Sequence, residues 1–372
     1  MRNKINKLRV FEAFAGVGMQ RMALKNLGIP HEVVAISEID KFALASYMAI
    51  HGKTLNLGDI TKIDVETIPE HDLFTYSFPC TDLSVSGKQL GFKKGSGTRS
   101  SLLWECERII EHKRPKFLLL ENVKALTFKK NMDGFNEWLE ILESYGYVNH
   151  WKVLNAKDFG VPQNRERVFV VSIHNSVGDT DYEFPAGYPL TVSLQDILEN
   201  EVDEKYYMKP EVYKRLVPTR SEYQPLLDNI VGKIKSSTDK FSQRSSVYGC
   251  VSGTLLASDF KQPKYVTTQV FKLKPSIHSS FQNGQRYKTY SPNGISPTLL
   301  TAQGGNVQPF VLNDFCIRKL TSREYWRLMG ISDENYEAAK SVCSNTQLYK
   351  QAGNGIVVPV LEGIFSKLFL TH

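Results

Sequence analysis

Leu8-Arg9-Val10-Phe11-Glu12-Ala13-Phe14-Ala15-Gly16-Val17-Gly18-Met19-Gln20-Arg21-Met22-Ala23-Leu24-Lys25-Asn26-Leu27 passes from a short apolar strand, through a glycine-rich turn, into an amphipathic helix. Residues 8–14 read as the strand and 18–27 as the helix. The same alternation continues for about 175 residues. Strand-like runs recur at 32–36, 73–78, 116–120 and 167–173, and residues 41–50, 102–111 and 135–144 carry apolar side chains at three- and four-residue spacing. Strands alternating with helices predict an α/β fold with a parallel, doubly wound, Rossmann-like sheet whose ligands sit at the carboxyl ends of the strands.

The chemistry-bearing residues fall at those ends. Glycines at Gly16 and Gly18 let a backbone approach a ligand closely, although a glycine-rich turn can also be no more than a tight turn. Ser37-Glu38-Ile39-Asp40 ends the second strand, where nucleotide-binding sheets place an acid for ribose hydroxyls. Asp59, in Gly58-Asp59-Ile60, is expected at the end of a third strand. Arg21 occupies the third glycine position of a dinucleotide fingerprint, which favours a smaller, adenosine-containing ligand.

Phe78-Pro79-Cys80-Thr81-Asp82-Leu83-Ser84 is expected to end a fourth strand and open a polar loop. A thiol there is expected to be partly exposed and reactive, the alternative being a buried small hydrophobe; of the five cysteines (Cys80, Cys106, Cys250, Cys316 and Cys343) most read as inert core thiols. No C-x-x-C pair occurs, so neither a zinc site nor a disulfide framework is indicated, and no metal is expected. Glu121-Asn122-Val123 closes a fifth strand after three leucines, a setting that favours a neutral carboxyl group; the alternative is a capped, ion-paired surface acid. Arg165 and Arg167, at i and i+2 of an extended segment, point to one face; the alternative is solvated surface.

From about residue 185 to Tyr290 the helical period fades. Between Lys205 and Tyr290 there are 15 Lys or Arg against 5 Asp or Glu, an excess of +10; with +7 overall, the rest of the chain stands at −3. A basic insert beside a mildly acidic body suits phosphate contact, or else a solvated lysine-rich surface. The chain's 372 residues suggest about two domains. No apolar run has the length of a membrane span, and the polar start lacks a signal peptide's apolar core, so a cytoplasmic location is expected.

Together, FAGVG, SEID, GDI, FPCTDLS, ENV and QNRERVF, followed after the insert by RKLTSREYWRLMG and QAGNGIVVPV, resemble the bacterial and phage C5 cytosine DNA methyltransferases. The resemblance implies methyl transfer from S-adenosyl-L-methionine to C5 of a flipped-out cytosine, through a covalent bond from Cys80 to C6. Glu121 would hydrogen-bond N3 and the exocyclic amine, Arg165 the base carbonyl oxygen, and Arg167 would support the thiolate or the carboxylate. Phe14, Gly16, Gly18, Glu38, Ile39, Asp59, Pro79, Leu102, Asn354 and Gly355 would form the cofactor pocket. Ile39 departs from the aromatic residue common there, Met19 from a further glycine, and Thr81 from a frequent glutamine.

The resemblance further implies a catalytic first part at 1–184, a small β-rich or irregular target-recognition domain at 185–290, and a return segment at 291–372. Ser84 and Arg99 after the nucleophile, and Arg244, Lys261, Lys264, Gln282 and Arg286 in the insert, are candidates for contacts to double-stranded DNA. A monomer is expected, with a separately acting restriction endonuclease as a candidate partner. The rivals are a tRNA cytosine methyltransferase, whose insert is much shorter, and a catalytically silent DNA-binding relative, which would have lost the thiol, the Glu or an Arg.

Overall fold

Side-chain alternation along the central strands sets the layers. In the computed structural model, which describes residues 6–79, 102–206, 270–272, 288–290, 296–297, 310–313 and 316–370, β1 (Leu8–Ala13) sends Leu8 and Val10 into one apolar layer and Phe11 and Ala13 into the other. Successive strand residues must face opposite ways. The same division holds in β3 (Leu73–Tyr76), with Leu73 opposed to Phe74 and Tyr76, and in β4 (Phe117–Val123), with Phe117 and Leu119 opposed to Leu118 and Leu120. Strands buried on both faces therefore read as continuous apolar runs.

Helices cover both faces. α1 (Met19–Asn26) and the last helix, α8 (Val358–Phe369), contribute Met22, Leu24, Leu361, Ile364 and Phe365 to the first layer. α3 (Leu103–Lys113) and α4 (Lys129–Ser144) contribute Cys106, Ile109, Phe135 and Trp138 to the second. With β2 (His31–Ser37), β5 (Tyr147–Asn155) and β7 (Glu166–His174), the sheet has six strands in the order β2-β1-β3-β4-β7-β5. The chain turns opposite ways from β1, which opens a crevice at the carboxyl ends of β1 and β3.

The fold is the expected Rossmann-like one, with three differences of detail. First, β7 runs antiparallel to both β4 and β5, so the sheet is mixed. Residues 156–165, which join β5 to β7, are too few for a helical crossover, and short connections join antiparallel strands. β5 itself escapes periodicity because it is an edge strand with Trp151 and Lys152 in solvent. Second, no strand ends at Asp59. Only an isolated bridge joins Ile36 to Asn56, and Asp59 caps a 3₁₀ turn, Ile60–Lys62. The strand leading to Cys80 is thus the third and that of Glu121 the fourth. Third, α4 starts at Lys129, not 135, since its first turn, Lys129-Lys130-Asn131, has no apolar stripe.

Beyond the body, β8 (Val270–Lys272), β9 (Lys288–Tyr290), β11 (Phe310–Asn313) and β12 (Cys316–Lys319) form a separate four-stranded sheet, ordered β12-β11-β9-β8. It joins segments from both sides of Tyr290. Between them, β10 (Ser296–Pro297) pairs with β6 (Gln163–Asn164) of the body. Beyond α6 (Asp333–Lys340), Asn345–Phe369 has a membrane span's length and apolar content, but it breaks at Gly355 into α7 (Asn345–Asn354) and α8, whose apolar residues lie in the core.

Where the chain leaves the body and where it returns, one carboxylate ties the two crossings. Glu324, fully buried at the start of α5 (Ser322–Arg327), accepts from the Glu199 backbone N–H at 2.8 Å and from that of Thr321 at 2.7 Å. Glu324→Ala strips one buried and one partly buried N–H group of their acceptor and is expected to cost about 2–4 kcal/mol, read as a lowered midpoint of urea unfolding. An unchanged midpoint would show that water replaces the carboxylate freely.

Candidate active site

The turn after β1 is shaped by backbone conformations that few residues tolerate. Gly16 (φ 58°) and Gly18 (φ 75°) are left-handed, and so is Phe14 (φ 54°), where a side chain makes the conformation costly. At Gly16 an added Cβ would meet nothing within 4 Å, so this glycine faces open space. At Gly18 it would lie 2.5 Å from His51 Nε2 and 2.6 Å from the Tyr47 ring, so the turn is packed hard from behind.

Glu38 closes this turn on the second strand. One carboxylate oxygen accepts from the Gly16 N–H at 2.8 Å and the other from the Asp40 N–H at 2.7 Å. Burial raises its pKa, against the pull of those N–H groups. Asn56 holds the loop from outside: its carbonyl accepts from the N–H groups of Glu38 and Gly58, both at 3.1 Å, and its amide donates to the Glu38 carbonyl at 2.9 Å. Asp59 is more exposed. The Thr61 hydroxyl and N–H bind its carboxylate and depress its pKa. Ile39 is 76% exposed beside them.

Opposite lies a second group. Glu121, buried at the end of β4, has its pKa raised by desolvation, which Arg167 and then Arg165 oppose. Arg167 Nε stands 3.2 Å from its carboxylate. Asn122 donates to the Phe78 carbonyl at 3.0 Å, tying this strand end to the one that leads to Cys80. Arg165 is 3% exposed, so it is no surface cation. Its Nη2 donates to the carbonyls of Gly353 at 3.1 Å and Gly355 at 2.7 Å, across about half the chain.

Both groups line one cavity of about 590 Å³, which takes in Phe14, Gly16, Glu38, Ile39, Asp59, Pro79, Leu102, Glu121, Arg165, Arg167, Asn354 and Gly355. Among the expected cofactor residues Gly18 alone is not in its wall; it shapes the turn from behind. Cys80, Ser84, Arg99, Arg244, Lys261, Lys264, Gln282 and Arg286 lie outside the described residues. Sequence reasoning missed Asn56, Ser77, whose side chain hydrogen-bonds Glu121, and Lys350 and Gln351 in the cavity wall. Gln351 opens the quoted QAGNGIVVPV run and Lys350 adjoins it, but Asn56 carries no local signal.

A chain whose strand ends bring these motifs to one cavity also matches, from residue 8 to residue 370, the C-5 cytosine-specific DNA methylases. It belongs to that family. The methylase is 39% identical to the type II methyltransferase M2.ScrFI of Lactococcus lactis subsp. cremoris, over 97% of this chain and 99% of that one. It is 32% identical to the orphan methyltransferase M.SPBetaI of Bacillus phage SPbeta, over 99% of each. Its fold is shared by a putative DNA modification methyltransferase of an Escherichia coli prophage, with TM-score 0.63 and 20% identity over 98% of this chain and 99% of that one. The Schizosaccharomyces pombe Dnmt2 methyltransferase has TM-score 0.62 and 20% identity over 98% of each chain. The methylase is thus a DNA cytosine-5 methyltransferase, of a family that draws its methyl group from S-adenosylmethionine.

Behind the glycine turn sits a further acid. Glu12 is fully buried and accepts from the Tyr47 hydroxyl at 2.7 Å. Burial pushes its pKa from 4.5 up to about 7, against that hydrogen bond and the Arg21 charge. A carboxyl group with a raised folded pKa binds its proton more tightly in the fold. Stability therefore falls as pH climbs from the unfolded to the folded value, about 4.5 to 7, and then levels. Glu12→Gln cannot ionise. Its stability relative to the parent should rise by about 1–3 kcal/mol between pH 5 and pH 7.5, at about 1.4 kcal/mol per pKa unit. Urea midpoints at both pH values check this; parallel curves would refute it.

Proposed function

We propose that the methylase modifies cytosine in a specific double-stranded DNA sequence, with the cavity holding the flipped base beside the methyl donor. The observation that carries this reading is the convergence of the Glu38–Asp59 side and the Glu121–Arg165–Arg167 side on one cavity, with Pro79 in its wall and Cys80 next in sequence.

S-adenosylmethionine fits the first side by its chemistry. Gly16 leaves open space at the turn, Glu38 and Asp59 offer carboxylates to hydroxyl and amine donors, and Ile39 and Ile60 offer apolar surface to a purine. Asn354 and Gly355 close the pocket from the return segment. When bound, the cofactor supplies an electrophilic methyl group.

The chain's own residues do the rest. Cytosine C5 is too weak a nucleophile until the Cys80 thiolate adds to C6, which saturates the 5,6 bond and directs the electron pair to C5. Glu121, with its raised pKa, stands ready to share a proton with N3 and so to ease that addition. Arg165 faces the base carbonyl oxygen, and Arg167 holds the Glu121 carboxylate in place. After C5 takes the methyl group it loses its proton, the C6–S bond breaks toward sulfur, and the aromatic ring and thiolate return. Extruding the base costs a few kcal/mol, which contacts from the loop after Cys80 and from the basic insert offset.

Type II and orphan relatives both align along the whole chain, so the same chemistry serves either setting. The basic insert supplies recognition, with its Lys and Arg residues on phosphates and base edges.

Bisulfite sequencing of DNA from cells expressing the chain identifies the target site. A duplex carrying 5-fluorocytosine at that site should then form a stable adduct with the protein and cofactor, because fluorine cannot leave as the proton does. Cys80→Ser should form none; an adduct with that variant would remove Cys80 from the mechanism. Glu121→Gln should still bind S-adenosylhomocysteine while methyl transfer falls by about 100-fold or more. Undiminished turnover would assign proton sharing elsewhere.

A further inference from the structure

Lys350 has no part in the roles assigned so far, yet it lies in the cavity wall. Its ammonium stands 2.6 Å from Asp40 Oδ2, and both side chains are about three-quarters buried, with 28% and 27% exposed. Asp40 is held firmly. Its Oδ1 accepts from the N–H groups of Phe42 and Ala43, capping α2 (Lys41–His51), which leaves Oδ2 for Lys350. The Asp40 N–H in turn donates to Glu38 Oε1. A direct chain therefore runs from Lys350 through Asp40 to the acid on the proposed ribose side.

The next residue reinforces it. Gln351 donates to the Phe42 carbonyl at 3.1 Å and accepts from the Ser46 hydroxyl at 3.1 Å. A few residues on, the carbonyls of Gly353 and Gly355 hold Arg165. Residues 350–355 thus grip the Glu38 loop at one end and the base-side guanidinium at the other.

We propose that Lys350 is a positioning residue: its ion pair with Asp40 latches the return segment over the cofactor and couples cofactor binding to the base side through residues 350–355. The inference rests on the cofactor and base sides proposed above. Lys350 acts through Asp40 and not on the reacting atoms. An ion pair this sheltered from solvent is screened less than an exposed one, and it joins two segments about 310 residues apart that only the fold brings together. Coupling of two sites by such a link must be reciprocal: what the cofactor gains from DNA, DNA gains from the cofactor.

The test measures binding of S-adenosylhomocysteine by calorimetry, with and without duplex DNA carrying the identified target site. Lys350→Met keeps the aliphatic stem and loses the charge. It should weaken S-adenosylhomocysteine binding and reduce the gain that DNA confers by about fivefold, the low end of coupling between linked sites. Lys350→Arg should restore most of both. Asp40→Asn keeps an oxygen for the helix cap but not the charge, so it tests the pair from the other side; in a double-mutant cycle with Lys350→Met the losses should overlap and not add. Binding and coupling at the parent level in Lys350→Met, or strict additivity in the cycle, would overturn the latch while leaving the cofactor reading intact. A parent chain that bound no S-adenosylhomocysteine would overturn that reading, and the latch with it.

Discussion

The guanidinium of Arg165 and the carbonyls of Gly353 and Gly355 satisfy one another, and the site depends on their meeting. A buried guanidinium without acceptors is costly, because desolvating a charge is not repaid by apolar contact. The last carbonyls of a helix equally lack partners within their own helix and carry partial negative charge. Gly353 lies in the last turn of α7 and Gly355 caps it, so each side supplies what the other lacks. The pairing fixes the return segment against the strand ends. Gly355 also has no room for a side chain, since a Cβ there would lie 2.2 Å from the Met19 methyl group at the start of α1.

Three carboxylates in one cavity have three different environments. Glu38 is partly buried, with both oxygens bound by backbone N–H groups; Glu121 is buried against two arginines; Asp59 is more open and bound by Thr61. Burial raises the first two pKa values and hydrogen bonding lowers the third, so residues of like chemistry acquire unlike proton affinities. The same contrast extends behind the glycine turn to Glu12, whose burial holds its proton near neutrality. Acid residues here are differentiated by packing and not by type.

Much of this was legible beforehand. Apolar runs at 8–14, 73–78 and 116–120 announced strands buried on both faces, and the glycine turn, Glu38 and Glu121 fell at their carboxyl ends because ligands gather there in doubly wound sheets. Periodicity failed where solvent intrudes. The edge strand β5 mixes polar and apolar residues without a clean period, and the first turn of α4 is polar. It failed also at Asp59, where an acid followed by Thr61 made a 3₁₀ cap in place of a strand end.

By itself the sequence determined the buried strands β1 to β4 and β7, the helices between them, the family, and the placing of the glycine turn, Glu38 and Glu121 at strand ends, because these follow from local periodicity and short contiguous motifs. Only the tertiary structure decided that β7 would run against its neighbours, that Asn56 would hold the Glu38 loop, and that Lys350 and Arg165 would find their partners some 310 and 190 residues away. The physical reason is that hydrogen bonds and ion pairs between distant segments leave no period in the chain. They exist only once burial of the apolar layers has brought the segments together and removed the water that would otherwise satisfy them.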